Sequence, residues 1–84
     1  MMKQRKAIVI GASSGIGREV AKLLIEQGWT VGVGARRVEL MQDLGAVATE
    51  QIDVTRPEAT HALQRLINKV GGMDLFFYAS GIGK

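Results

Sequence analysis

The residues with the plainest chemical meaning lie between Val9 and Leu24, in the stretch VIGASSGIGREVAKLL. Gly11, Gly15 and Gly17 follow a short apolar run, and an amphipathic pattern begins at Gly15. A strand-to-helix turn leaves the first N–H groups of the helix without partners, and the helix dipole puts partial positive charge there. A phosphate fits at that point if no Cβ atom stands in its way. Gly11 is expected to make the turn out of the strand. Gly15 is expected to let a pyrophosphate approach, and Gly17 to let the helix pack close to the sheet. Ser13 and Ser14 add hydroxyl donors, one of them as a helix cap. Glycines can also serve only to make a tight connection. Here they follow a buried strand and head an amphipathic helix, the context that phosphate binding requires.

A second feature follows the next strand. A dinucleotide fold reads the adenosine ribose about 20 residues after its glycine turn. A carboxylate there accepts from a 2′-hydroxyl and would repel a 2′-phosphate. This chain carries Ala35-Arg36-Arg37 instead, with no acid before Glu39. A guanidinium forks onto a phosphate. The expected cofactor is therefore NADP(H) in preference to NAD(H), with Arg36 and then Arg37 on its 2′-phosphate.

These groups need elements to hold them. Ala7-Ile8-Val9-Ile10 reads as a strand buried on both faces. Ile16, Val20, Leu23 and Leu24 form the apolar stripe of a helix that Gly28 stops, with Arg18 and Glu19 off the stripe. Trp29 to Val33 is a second strand, which Gly32 and the following Gly34 weaken locally while letting another backbone or a ligand come close. Arg36 to Leu44 is expected as a short helix stopped by Gly45, and Ala46 to Ile52 as a third strand. Thr55 and Glu58 have capping-box spacing around Pro57. The helix they open carries Ala59, Ala62, Leu63, Leu66, Ile67 and Val70 on one face and ends at Gly71-Gly72. Met73 to Tyr78 is a fourth strand. This alternation predicts an α/β fold, a doubly wound parallel sheet with helices on both faces. Strand order is not legible in the residues, and 3-2-1-4 is adopted from such sheets.

The glycine spacing is Gly-x-x-x-Gly-x-Gly, and GASSGIGR (Gly11 to Arg18) resembles the glycine motif of the short-chain dehydrogenases/reductases. Asp53-Val54-Thr55 resembles that family's motif after the third strand, whose aspartate and its neighbour contact the adenine ring. Ala79-Ser80-Gly81 resembles its Asn-Ala-Gly motif after the fourth. The resemblance runs from Lys6 to Gly83. It implies a Rossmann-like sheet. Its cofactor contacts would be Gly11, Ser13, Ser14, Gly15, Ile16, Gly17, Arg36, Arg37, Asp53, Val54, Ala79 and Gly81, with Ser13 a second partner of the 2′-phosphate. Two departures stand out. Ile10 replaces a frequent threonine, and Tyr78-Ala79-Ser80-Gly81 lacks the usual asparagines.

The resemblance also implies hydride transfer between nicotinamide and a carbonyl or alcohol, by a Tyr-x-x-x-Lys pair and a serine. Tyr78 is the only tyrosine, and Ile82 stands where the lysine would be. No catalytic residue is assigned. The expectation is that residues 1–84 are a single partial dinucleotide-binding domain, the N-terminal part of a longer reductase that stops before the catalytic segment and is inactive alone. A non-catalytic dinucleotide sensor is the alternative, and downstream sequence would separate the two.

Composition narrows the rest. At 84 residues there is one domain at most, with 46% hydrophobic and 23% charged residues, as in a globular chain. Absence of cysteine removes disulfides and thiolate metal sites, and fits a cytoplasmic setting. Asp43, Asp53 and Asp74 have no metal-like spacing. His61, the only histidine, is expected on a helix surface. The net charge of +3 is dispersed and aromatics are 5%, so nucleic acid is not an expected partner. The start, Met1 to Lys6, is polar and basic and leads into only about four apolar residues, too short a run for a signal peptide or a membrane span. The fourth strand is expected to be an open edge beside Leu75, Phe76 and Phe77, with a partly bare sheet face, which predicts self-association.

Overall fold

Ala7 to Ile10 are apolar at consecutive positions because both faces of their strand are covered. In a computed structural model of the chain, which describes residues 4–12 and 15–79, they lie in β1 (Lys6–Ile10). Ala7 and Val9 face one layer, Ile8 and Ile10 the other, and all four are buried. α1 (Gly15–Glu26), β2 (Thr30–Ala35), a 3-10 turn (Val38–Met41), β3 (Ala48–Gln51), α2 (Ala59–Val70) and β4 (Leu75–Tyr78) follow. The strands are parallel, in the order β3-β2-β1-β4. This is the expected doubly wound arrangement. α1 and the 3-10 turn cover one face, and α2 covers the other.

The two glycines of β2 explain how α2 comes so close. Val31 and Val33 point toward α1, which leaves Gly32 and Gly34 beneath α2. A Cβ on Gly32 would stand 2.5 Å from Val70 Cγ2 and 3.1 Å from Leu66 Cδ1. One on Gly34 would stand 2.6 Å from Ile52 Cδ1. Apolar side chains, rather than a backbone or a ligand, occupy that space.

Several expectations are corrected. α1 turns Gly17 and Ala21 inward, with Val20, Leu24 and Ile25 partly buried, while Ile16 and Leu23 are 71% and 55% exposed. Small residues let the helix axis approach the sheet, and that outweighs the burial of two larger side chains on its flank. The helix expected over Arg36 to Leu44 shrinks to one 3-10 turn. Leu44 N–H donates to Met41 O at 3.1 Å, and Leu40 O, the acceptor an α-helix would use, accepts from Arg18 Nη1 at 2.7 Å. The Thr55–Glu58 capping box does not form. Thr55 donates instead to Asp53, and α2 begins at Ala59 with no side-chain cap from Glu58. β3 and β4 are shorter than expected. β4 is preceded by Asp74, whose Oδ2 accepts from Lys6 N–H at 2.9 Å and whose N–H donates to Lys6 O at 2.7 Å. Gly28 and Gly71 stop their helices as expected, at φ of 91° and 94°.

α2 leaves β4 uncovered. Leu75, Phe76 and Tyr78 are 37%, 44% and 48% exposed, while Phe77 packs under α1.

Glu50 of β3 anchors α2 by charge. Its side chain is 10% accessible, and it accepts from Lys69 Nζ at 2.6 Å and Arg65 Nη2 at 3.3 Å. The Lys69 hydrogen bond, helped by Arg65, holds its carboxyl below the ordinary value of 4.5, although burial opposes the shift. A depressed folded-state pKa contributes stability above the unfolded value, and that contribution is lost as pH falls through the folded one. Glu50→Gln is expected to lower the urea midpoint at about pH 7 and to flatten its fall below about pH 4.5. Equal acid limbs for the two proteins would refute this role.

Candidate cofactor-binding site

Parallel pairing brings the ends of all four strands to one edge. Ile10 is in register with Gly34 and Tyr78, and Gly34 with Glu50. The segments that leave this row are Gly11-Ala12, Arg36-Arg37, Ile52 to Val54, and Ala79. The fold thus gathers the predicted groups at the carboxyl ends of the strands, where open α/β sheets bind ligands. Ser13, Ser14 and Gly81 lie outside the described residues.

The three glycines have different physical reasons. Gly11 has φ of 87°, and its N–H donates to Gly34 O at 2.7 Å. A Cβ on Gly11 would strike the carbonyl oxygen of Ala79. A Cβ on Gly17 would strike the carbonyl oxygen of Gly11 and stand 3.0 Å from Ala79 Cβ. Gly11, Gly17 and Ala79 therefore form one close junction of β1, α1 and the end of β4. Ala79 N–H holds it by donating to Ile10 O at 2.9 Å. Gly15 is constrained differently. Its φ is 63°, and among the described residues no atom lies within 4 Å of where its Cβ would stand. The neighbouring Ile16 is exposed.

After β2, Arg36 and Arg37 are both exposed. Gln51 Nε2 donates to Arg36 O at 3.2 Å, and Arg37 is extended, with φ −113° and ψ 94°. Asp53 Oδ1 accepts from Thr55 Oγ1 at 2.6 Å and from Thr55 N–H at 3.0 Å. These two bonds, the hydroxyl first, hold its carboxyl below the ordinary range, and the charges of Arg36 and Arg56 add to the effect. Val54 is 51% exposed. It borders an apolar hollow of ≈ 130 Å³ with Ile10, Ile52, Leu63, Phe76 and Tyr78 along its walls. That hollow opens between α2 and β4.

One contributor escaped the sequence reading. Arg18, set among the solvent-facing residues of the first helix, binds Leu40 O and the Asp43 carboxylate. No spacing announces a partner 25 residues away. For reaction chemistry the described residues hold little. They contain no group of three metal-ligating side chains, and His61 is exposed on α2.

The glycine junction carries a direct test. Gly17→Ala is expected to destabilise the chain by about 1–3 kcal/mol, since backbone and not a flexible side chain must yield. Urea unfolding checks this, and an unchanged midpoint would show that the junction has slack.

Known proteins align with this geometry. The family model for short chain dehydrogenase matches residues 5–84. An uncharacterized oxidoreductase of Staphylococcus saprophyticus is 34% identical over 88 residues, covering 96% of this chain and 36% of the relative. One of Listeria monocytogenes is 39% identical over 90 residues, with the same two coverages of 96% and 36%. Among solved structures, a Thermus thermophilus protein superposes with a TM-score of 0.83 at 30% identity, over 96% of this chain and 36% of its own. An actinorhodin polyketide ketoreductase solved with NADPH gives 0.79 at 29% identity, over 96% and 35%. The chain thus spans about a third of the length of the relatives it matches. With the glycine junction, the parallel sheet and this match along nearly its whole length, the chain belongs to the short-chain dehydrogenase family.

Proposed function

We propose that residues 1–84 form one partial dinucleotide-binding domain that takes NADP(H), and that the whole protein is an oxidoreductase acting on a carbonyl or alcohol. The observation that carries the cofactor preference is the exposed Arg36-Arg37 pair at the end of β2, on the same sheet edge as the start of α1. A 2′-phosphate gains charge-assisted hydrogen bonds there, and no carboxylate stands between the strand end and the pair to repel it. Gly11, Gly15, Ile16 and Gly17 would lie along the pyrophosphate, with Ser13 and Ser14. Asp53 and Val54 would lie at the adenine, and Ala79 and Gly81 beneath the cofactor. Asp53 is suited to accept a hydrogen bond because the two bonds from Thr55 hold its carboxylate in place. When bound, the nicotinamide gives or takes a hydride. The residues of this chain bind and orient it, and none of those described is placed to move the substrate's proton. The ketoreductase solved with NADPH lends support by likeness. No helix among the described residues is long and apolar enough to cross a membrane, and we place the protein in the cytoplasm on its cysteine-free composition.

Calorimetric titration with NADP and NAD tests the reading. NADP is expected to bind about tenfold more tightly or better, and Arg36→Ala to remove most of that margin, as for hydrogen bonds to a charged group. Equal affinity for the two cofactors would overturn it. The same preparation is expected to oxidise no NADPH when carbonyl compounds are added.

The bare edge supports a second part of the reading, self-association through β4. An unpaired parallel edge flanked by exposed Leu75, Phe76 and Tyr78 favours pairing with another copy. Sedimentation velocity is expected to show larger species as concentration rises, and Phe76→Lys to suppress them. A monomer at every concentration would sink this part alone.

A further inference from the structure

Arg18 makes an uncommon pair of bonds. Nη1 donates to the carbonyl oxygen of Leu40 at 2.7 Å, and Nη2 to Asp43 Oδ2 at 2.6 Å. The carbonyl is the informative partner. In an α-helix Leu40 O would accept from Leu44 N–H. Here Leu44 N–H turns to Met41 O at 3.1 Å, and Leu40 N–H donates to Arg37 O at 3.2 Å. The segment is limited to a single 3-10 turn, and Arg37 before it stays extended. Arg18 itself stands in the first turn of α1, next to Gly17, whose backbone rests on Gly11. The guanidinium therefore spans from the start of α1 to the segment that carries the two exposed arginines. Asp43 has 70% of its side chain exposed and Arg18 27%, so the ion pair itself adds little stability. Its effect is geometric.

We infer that Arg18 and Asp43 are positioning residues, a clamp that holds residues 36–43 out of an α-helix and so presents Arg36 and Arg37 to a 2′-phosphorylated adenosine nucleotide. The inference rests on the cofactor reading above. The clamp sets how far the arginine pair stands from the start of α1, and with it how sharply the site separates a 2′-phosphate from a 2′-hydroxyl. Charge alone predicts the opposite behaviour. Deleting the Asp43 carboxylate would make the site more cationic and strengthen anion binding. Positioning predicts that the deletion weakens it, so the sign of the effect decides.

The test uses the 84-residue chain with Asp43→Ala and with Asp43→Glu, which can rebuild the clamp. Adenosine 2′,5′-bisphosphate and 5′-AMP are titrated by calorimetry. Backbone hydrogen exchange over residues 36–44 is followed without ligand. Asp43→Ala is expected to cut the preference for the bisphosphate by about three- to tenfold. It is also expected to change exchange over 36–44 while leaving exchange in β1 and α2 alone, and Asp43→Glu to restore both. Unchanged exchange, an unchanged preference or tighter bisphosphate binding in Asp43→Ala would each overturn the inference. If the wild-type chain fails to prefer the bisphosphate, the cofactor reading fails and this inference with it. If the wild type prefers it and Asp43→Ala prefers it equally, only the clamp fails.

Discussion

Where α1 leaves β1, the backbone of Gly17 rests on the carbonyl of Gly11, and no side chain has room between them. Most of the architecture follows from that contact. It lays the start of α1 directly over the end of β1. It leaves space beside both glycines only for a residue as small as Ala79, which ends β4 and hydrogen-bonds to Ile10. The junction therefore joins the first helix, the central strand and the last strand at one point. Gly15, two residues before Gly17, meets no such crowding among the described residues.

The opposite face of the sheet uses the same device for another purpose. Gly32 and Gly34 lower the floor of β2, and Leu66, Val70 and Ile52 fill the depression. Glycines in β2 are costly in chain entropy and offer no side chain to pack. Here the neighbouring layer supplies the packing. The result is a thin two-faced core with no buried polar or charged side chain among the described residues.

Charges are accordingly confined to the margins, where they orient segments more than they stabilise them. Glu50 gathers Lys69 and Arg65 between β3 and α2. Thr55 turns toward Asp53 and shapes the loop after β3. Arg18 holds the loop after β2 by a carbonyl and a carboxylate. Two of these three contacts lie at the carboxyl edge of the sheet. Each engages a hydrogen-bonding group that a regular helix start or interior would use.

The residues by themselves determined the alternation of strands and helices, the glycine stops at Gly28 and Gly71, the buried central strand and the placing of the candidate residues just after the strands. All of these rest on local periodicity or local turn chemistry, which a linear pattern carries in full. Strand order had to be borrowed from known sheets, because apolar runs do not name their neighbours. Tertiary structure alone decided which face of α1 turns inward. A stripe of larger side chains pointed to Ile16 and Leu23, but close approach to the sheet favoured Gly17 and Ala21. It alone decided that Thr55 serves Asp53 and not a helix cap, and that Arg36 to Leu44 stays nearly unwound. In both places a hydrogen-bonding group had two possible partners. Sequence spacing shows that a partner is within reach along the chain, but only the folded layers show which one, near or distant, arrives first with the better geometry.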